Sequence, residues 1–465
     1  MTTLSNGALR AITQKCAGHI IPSMGYTTLQ IGVDDTDSPR GMCTTFLAYM
    51  ITDMLLEEEA TFLDFPSLVR LNPNIPWKTR GNGAVSIKVR TRNASRLKEK
   101  TLDLMRAHSD TVNGANPGLV FLEGDHVPDD LGRFSAQALW RLISRQDARK
   151  VAQGCNMDLH WLGNGQGLVG SIAAVGYRFR DCTAELLSYR RRERFGTLRV
   201  ISSASVKRVQ DEVPSTFNSY DVRRNRVLIT PRGPDPVFYG IRGEDPRSLI
   251  RAASMIKTDE QPAGHLIFRS NQGTGDHLHN SLDPKDLRPY DSGIISGSVT
   301  TRPVTGPGGN VFFGLSSGSH VISCALYQKT GIAKIAGLLI PGDHIIVGGG
   351  IRRATRRLPR TLNLEFVRVL RLAQCTTPVN PACPQCKRRM KSEGQNQGYR
   401  CRICKTHAQS KIYSVVPRRI RLGLYTPAAA SSRHLARPVQ REGRVNTITF
   451  DDELPWFAVY DNSGE

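Results

Sequence analysis

The stretch Ile31-Gly-Val-Asp34-Asp35-Thr36-Asp37-Ser-Pro-Arg40-Gly-Met-Cys43-Thr44-Thr45 sets three carboxylates within four residues, then a tight turn and two adjacent hydroxyls. Carboxylates this close repel one another unless a hard cation sits among them. Oxygen ligands on a loop suit Mg2+, which usually also carries waters and nucleotide phosphates. A helix starting near Thr44 would aim its first N–H groups at the same space, so metal and phosphate could share one pocket. The alternative is a solvated acidic turn in which Thr36 and Ser38 only cap, and the stretch by itself leaves both open.

A second loop, Arg70-Leu-Asn72-Pro-Asn74-Ile-Pro-Trp77-Lys78-Thr-Arg80-Gly81-Asn-Gly83-Ala, combines cations with glycines that permit close backbone approach to phosphate oxygens. It lacks the Gly-Lys-Ser/Thr order of a Walker A loop, and a plain basic surface turn is its other reading. Together, an acidic metal loop and a basic phosphate loop point to phosphoryl chemistry. Near the other end of the chain, Cys383-x-x-Cys386 and Cys401-x-x-Cys404 are separated by 14 residues. Four thiolates at this spacing close a tetrahedron around Zn2+ and leave no position open for chemistry. Lys387, Arg388, Arg389, Lys391, Arg400, Arg402 and Lys405 crowd these knuckles, so the ribbon presents cations to phosphates. Gly165-x-Gly167-x-x-Gly170 satisfies a dinucleotide fingerprint, but the segment before it, Asn156 to Gly163, is short and polar-rich. Glycines for helix–strand packing are the favoured reading there.

The elements that must hold these groups are visible in outline. Tyr26 to Val33 reads as a strand and Thr44 to Glu59 as a helix, with Phe46, Leu47, Met50, Met54 and Leu55 on one stripe. Strands at Phe65 to Leu71 and Ala84 to Arg90 and a helix at Leu97 to His108 continue an α/β layer. Beyond Pro128 a second α+β unit is predicted: helices at Leu131 to Ile143 and Gln146 to Gly154, strands near Met157 to Leu162, Ser171 to Tyr177 and Arg199 to Ser203. From Ser292 to Ile351, short Val-, Ile- and Phe-rich runs between glycines predict a closed β structure of about five strands, for which an OB-type barrel is the simplest form. Residues after Pro427 read mostly as coil, and residues 1–25 as a disordered extension.

At 465 residues the chain is too long for one core. A hydrophobic fraction of 39% and a charged fraction of 22% describe a globular protein. The formal net charge is +22, and residues 351–424 hold 18 Lys/Arg against two acids, so the expected partner is a polyanion, nucleic acid above all. There is no apolar run long enough for a membrane span or a signal segment, and a cytoplasmic protein is expected. In that reducing compartment ten cysteines argue for metal or free thiols.

Read together, Gly32-Val-Asp-Asp-Thr-Asp-Ser-Pro-Arg-Gly-Met-Cys-Thr-Thr45 and Arg70-Leu-Asn-Pro-Asn-Ile-Pro-Trp-Lys-Thr-Arg-Gly-Asn-Gly-Ala84 resemble the signature segments of the archaeal 2-agmatinylcytidine synthetase family, which acts on the minor isoleucine tRNA. The likeness continues through Gly167-Leu-Val-Gly-Ser-Ile-Ala-Ala-Val-Gly176, Asp181-Cys-Thr-Ala-Glu-Leu-Leu-Ser-Tyr-Arg190, Leu339-Ile-Pro-Gly-Asp343 and the cysteine ribbon. The resemblance spans residues 26–425. It implies a multidomain α+β protein: an ATP-binding kinase-like α/β domain (26–127), a ferredoxin-like domain (128–265), an OB-fold β-barrel (285–352), a zinc ribbon (374–424) and a C-terminal tail (425–465). It also implies an ATP- and Mg2+-dependent ligase that attaches agmatine to C2 of the wobble cytidine of the tRNA with a CAU anticodon, so that AUA is read. Carried over by position, Asp34, Asp35 and Asp37 would hold Mg2+, Thr44 matches the threonine phosphorylated in the family, and Lys78 and Arg80, with Gly81 and Gly83, would sit at the ATP phosphates. For the doubly cationic agmatine, Asp181 or Glu185 could supply carboxylates, although both read equally well as surface acids at a helix start.

The chemistry fits independently. Cytosine C2 bears an amide-like oxygen that leaves poorly, and phosphorylating that oxygen activates it. In-line phosphoryl transfer asks a protein mainly for positioning and charge neutralisation. The barrel and ribbon would grip the tRNA while its wobble base is splayed into the site. Two alternatives stay open: a non-catalytic RNA-binding protein, and an ATP-dependent tRNA modification that uses another amine. No obligatory protein partner and no membrane are expected.

Overall fold

The computed structural model describes residues 25–222, 224–356 and 359–460. The predicted extension lies outside them but for Gly25. The body is built on strands β1 (Thr27–Asp34), β2 (Ser67–Arg70), β3 (Gly83–Thr91), β4 (Gly118–Glu123), β5 (Asp158–Trp161), β6 (Thr183–Tyr189), β7 (Val237–Gly243) and β8 (Gly264–Ser270). They lie side by side in the order β7-β6-β8-β2-β3-β1-β4-β5 within one sheet of ten strands. Leu29, Ile31 and Val33 of β1 alternate with Gln30 and Gly32. The apolar set joins Val85, Ile87 and Val89 of β3 in a core closed by helices α1 (Thr44–Glu57) and α2 (Ala94–His108). On the opposite face, α3 (Asp129–Ala138), α4 (Arg145–Gly154) and α5 (Gly167–Gly176) form a second cluster through Leu131, Phe134, Ala148, Leu168 and Ile172. Helices α6 (Ser203–Glu212) and α7 (Pro246–Met255) extend the first core with Val206, Val209, Leu249 and Ala252.

Three sequence expectations differ from the structure here. A domain boundary at 127/128 does not divide the body, because residues 128–176 pack on the N-terminal strands and the sheet runs on without a break. The expected strand from Ser171 to Tyr177 is instead helical as far as Gly176. Its Val and Ile favour a strand locally, but glycines let α5 press onto β1 and that contact overrides propensity. A Cβ at Gly170 would lie 1.8 Å from Asp34 Oδ2, and one at Gly32 would lie 2.3 Å from the Ser171 carbonyl oxygen. The expected strand at Arg199 to Ser203 is reduced to one bridge from Ile201 to Thr258, since Ser202 caps α6.

Strands β9 (Ser292–Val299), β10 (Val311–Ser317), β11 (His320–Leu326), β12 (His344–Arg352) and β13 (Thr361–Arg371) close a barrel in the order β9-β12-β13-β11-β10 and back to β9. The fifth strand lies beyond the predicted end at 352. Its arginines hid it, yet along β13 Leu362, Leu364, Val367 and Val369 face the barrel core. Buried contacts lock the barrel to the body: His277 Nε2 to Glu365 Oε2 at 3.0 Å, Asn74 Nδ2 to Ser292 Oγ at 2.7 Å, and Asn72 Nδ2 to the Tyr290 carbonyl at 2.9 Å.

The tail is irregular, as its composition implies, but it is an integral part of the body. It crosses back from the barrel, forms β14 (Phe457–Val459) against β8, and buries Trp456 against Phe62 and Phe65. Its anchor is Arg441, 1% exposed, which reaches Asp181 Oδ1 at 2.8 Å, Glu244 Oε1 at 2.6 Å and the Gly273 carbonyl at 2.8 Å. Removing one partner from a buried pair strands the other charge. Arg441→Met is therefore expected to destabilise the body by about 3–5 kcal/mol, measured by urea unfolding.

Candidate active site

One cavity of about 490 Å3 opens where the acidic loop, the basic loop and the far half of the sheet meet. Strand β1 ends at Asp34, and Asp35 then adopts φ 57, a left-handed conformation that turns the chain towards a tight Ser38–Gly41 turn before α1 begins. Asp34, Asp35, Asp37, Cys43, Thr44 and Thr45 line one wall. Thr44, at the first position of α1, is only 4% exposed, and the Thr36 hydroxyl donates to its oxygen at 3.2 Å.

The three aspartates differ. Arg80 Nη1 meets Asp37 Oδ2 at 2.8 Å and Thr79 Oγ1 donates to Asp37 Oδ1 at 3.1 Å, so Asp37 is already compensated. Among the described residues neither Asp34 nor Asp35 has an ion-pair partner. Burial, then the neighbouring charge of Asp35, pushes the Asp34 carboxyl well up; burial, then Asp37, pushes Asp35 up to about 7. Only the four ribbon cysteines, among the described residues, bring three or more ligand atoms within 4.8 Å of one another. The three aspartates, expected to share one Mg2+, do not gather on one point in this structure. Asp34 and Asp35 fit a divalent cation whose remaining ligands are water and phosphate, while Asp37 holds Arg80.

The basic loop forms the roof. Arg80 Nη2 also donates to the Ser38 carbonyl at 3.2 Å and Lys78 Nζ to the Arg80 carbonyl at 3.1 Å, so the two sequence loops are stitched together. The glycines here serve side chains of the protein itself. A Cβ at Gly81 would lie 2.6 Å from Arg70 Nη1 and 2.9 Å from His434 Cδ2, and one at Gly83 would lie 3.0 Å from Arg70 Nη1.

Apart from Glu185, the far wall was not legible in the sequence. Glu185, fully buried on β6, meets Arg70 Nη2 at 3.0 Å and Arg242 Nε of β7 at 3.1 Å. Burial alone would raise this carboxyl, but the two guanidinium groups outweigh it and hold it at about 2. Asp235, 2% exposed, lies 3.8 Å from Arg80 Nε and 3.6 Å from Arg199 Nη2, and its Oδ2 accepts no hydrogen bond. His434 of the tail reaches in as the one histidine among the described lining residues. Asp235 and Arg242 lie just before and within β7, His434 comes from far along the chain, and none of them carries a local motif. Asp181 is misassigned by the sequence reading: it is outside the cavity, clamped by Arg437 at 2.8 Å and by Arg441, and has no charge to spare for an amine. Glu185 lines the cavity but sits in a strand rather than at a helix start, with both oxygens taken by arginine.

At the ribbon, the four sulfurs of Cys383, Cys386, Cys401 and Cys404 gather as predicted. The two knuckles match: Lys387 and Lys405 both take left-handed φ near 60° and donate to the carbonyls of Cys383 and Cys401 at 2.9 and 3.0 Å. Knuckle amides, that of Cys386 first, pull the Cys383 thiol down to about 6. Such a donor set fits Zn2+.

Fold and site together place the chain among α+β proteins that carry a closed five-stranded barrel and a C-terminal zinc ribbon beside one charged cavity. Family profiles described as the TiaS TCKD, TiaS FLD and TiaS C-terminal zinc ribbon domains match residues 30–163, 165–277 and 380–420. TiaS of Cenarchaeum symbiosum, a 2-agmatinylcytidine synthetase of the minor isoleucine tRNA, is 48% identical over 94% of this chain and 98% of its own, and that of Thermococcus sibiricus is 37% identical over 88% and 95%. The crystal structure of TiaS in complex with that tRNA and ATP superposes with a TM-score of 0.81 at 35% identity, over 90% of this chain and 99% of that one. A complex of TiaS with the tRNA, AMPCPP and agmatine gives 0.79 at 32%, over 91% and 100%. The chain belongs to the TiaS family, the 2-agmatinylcytidine synthetases of the minor isoleucine tRNA.

Two outcomes are expected. Because the folded Glu185 carboxyl titrates below its usual value, its stabilisation is complete above about pH 4.5 and lost as pH falls through about 2. Glu185→Gln should therefore lower the urea midpoint at pH 7, and the gap to wild type should close as the medium is acidified. Elemental analysis should find one zinc per chain, absent in Cys401→Ser, which loses tRNA affinity but still binds ATP.

Proposed function

We propose that this chain is the ATP-dependent ligase that joins agmatine to C2 of the wobble cytidine in the minor isoleucine tRNA with a CAU anticodon, giving 2-agmatinylcytidine. The observation that carries the reading is a single cavity in which two uncompensated carboxylates, Asp34 and Asp35, face a cationic rim of Arg70, Lys78 and Arg242. Such a surface neutralises a polyphosphate from both sides. In this reading the N-terminal half is kinase-like, the segment through β8 ferredoxin-like and the barrel an OB-fold, and the protein works in the cytoplasm. Among the described residues no helix is long and apolar enough to cross a membrane.

Asp34 and Asp35 would hold Mg2+, which when bound offsets charge on the transferring phosphoryl group. Lys78 and Arg80 meet the ATP phosphates beside Gly81 and Gly83, and Arg80 must exchange part of its hold on Asp37 to do so. Thr44 stands in the first turn of α1, where helix amides favour an added phosphoryl group; this supports its carry-over as the phosphorylated threonine. With Asp181 clamped and Glu185 shared between arginines, Asp235 is the carboxylate we assign to the cationic amine, because its Oδ2 accepts no hydrogen bond and the Arg80 Nε beside that oxygen stands off at 3.8 Å. Phosphorylation of the cytidine O2 turns that oxygen into a leaving group, and the amine nitrogen displaces it.

The test is incubation with ATP, Mg2+, labelled agmatine and an isoleucine tRNA transcript bearing CAU, followed by mass analysis of the wobble nucleoside. An agmatine-sized gain that requires ATP is expected, and Asp35→Asn should lower it about 100-fold or more with tRNA affinity kept. A gain with a different amine only, or tRNA binding without ATP turnover, would replace this reading.

A further inference from the structure

The tail places one side chain at the phosphate end of the cavity. The His434 carbonyl accepts from Gly273 N at 2.8 Å and the Leu435 carbonyl from Gly275 N at 2.7 Å, while Arg437 and Arg441 grip Asp181 just beyond. This holds the imidazole against Gly81, with Nε2 3.0 Å from where a Cβ on that glycine would sit. Its other nitrogen faces Gln272, itself only 5% exposed. One orientation of the Gln272 amide satisfies every neighbour: nitrogen donates to Glu185 Oε2 at 3.0 Å and to His434 Nδ1 at 3.2 Å, and oxygen accepts from Arg242 Nε at 2.8 Å. Nδ1 is then an acceptor, so the proton of the neutral ring is on Nε2, the atom beside the basic loop.

We propose that His434 is a catalytic hydrogen-bond donor, its Nε2–H meeting an oxygen of the phosphoryl group as it passes from ATP to the cytidine O2. This rests on the function proposed above. In that step the cytidine O2 attacks phosphorus with a lone pair, the new P–O bond forms, and the bond to ADP breaks with its electron pair leaving on ADP. Cytosine O2 carries no hydrogen, so no proton has to be removed and a donor serves the step better than a base. The groups around the ring agree. Enclosure in the cavity, then Arg70 and Arg242, with Lys78 adding and Glu185 opposing, hold the imidazole at about 3, so it stays neutral and keeps its tautomer. That corner, with one carboxylate against three cations, is also one an anion would enter.

The test uses full-length protein, the CAU transcript, ATP and agmatine, with ATP turnover and adduct formation read separately. His434→Leu should lower the turnover number about 100-fold with little change in KM for ATP, as for loss of one transition-state donor, and His434→Gln, whose amide N–H reaches the same place, should recover most of it. The wild-type rate should show no limb from imidazole titration. A wild-type rate in His434→Leu overturns the proposal, as does an acid limb near the usual histidine value that His434→Gln abolishes, since that would mark a base. Should His434→Leu fail to fold, as shown by its melting curve, Gln272→Leu carries the test: freeing the tautomer should slow turnover, and an unchanged rate overturns the proposal. If wild-type protein forms no agmatine adduct, it is the functional reading that fails.

Discussion

The cavity depends on one buried charge. Glu185 sits on β6, one strand in from the edge of the sheet, and binds Arg70 at the end of β2 and Arg242, its register partner on β7. Two guanidinium groups this close and this dry would repel each other and force the wall apart. A carboxylate between them turns that repulsion into a rigid brace, and geometry of this kind is what makes a buried ion pair tolerable. The brace leaves a surplus of positive charge facing the cavity, so one interaction both closes the sheet and creates its affinity for anions.

A second balance operates across the cavity. Asp34 and Asp35 are half-buried without cationic partners where α5 packs directly on β1, with glycine at position 170 to admit the Asp34 carboxylate. This contact holds two like charges close together. Arg80 is the link between the two balances, since it spans from Asp37 to the loop that crowns Arg70.

How much of this was legible in the sequence follows from how local each signal is. The acidic and basic loops and the cysteine knuckles are contiguous stretches that stand out locally, and the structure brings the two loops to one cavity and the four sulfurs to one cluster. Helices α1, α3 and α4 announced themselves by periodicity. The merging of two α+β units into one sheet was invisible, because pairing β8 with β2 joins residues as distant in the chain as Arg269 and Ser67. Asp181 was misread for the same reason: nothing near it in sequence reveals that Arg437 and Arg441 consume its charge. The helix at 167–176 was hidden behind β-branched residues whose preference yields to glycine-mediated packing. His434, in a segment that reads as coil, owes its position to partners elsewhere.

The course of the tail has a consequence for how the molecule comes into being. Residues after 427 emerge later than everything they pack against, and they supply the strand beside β8, the guanidinium that neutralises Asp181 and an imidazole in the cavity wall. A nascent chain therefore exposes its acidic and basic loops long before the wall that faces them exists. The cavity is assembled only once these later residues have been made, and a product truncated before them is left unable to complete it.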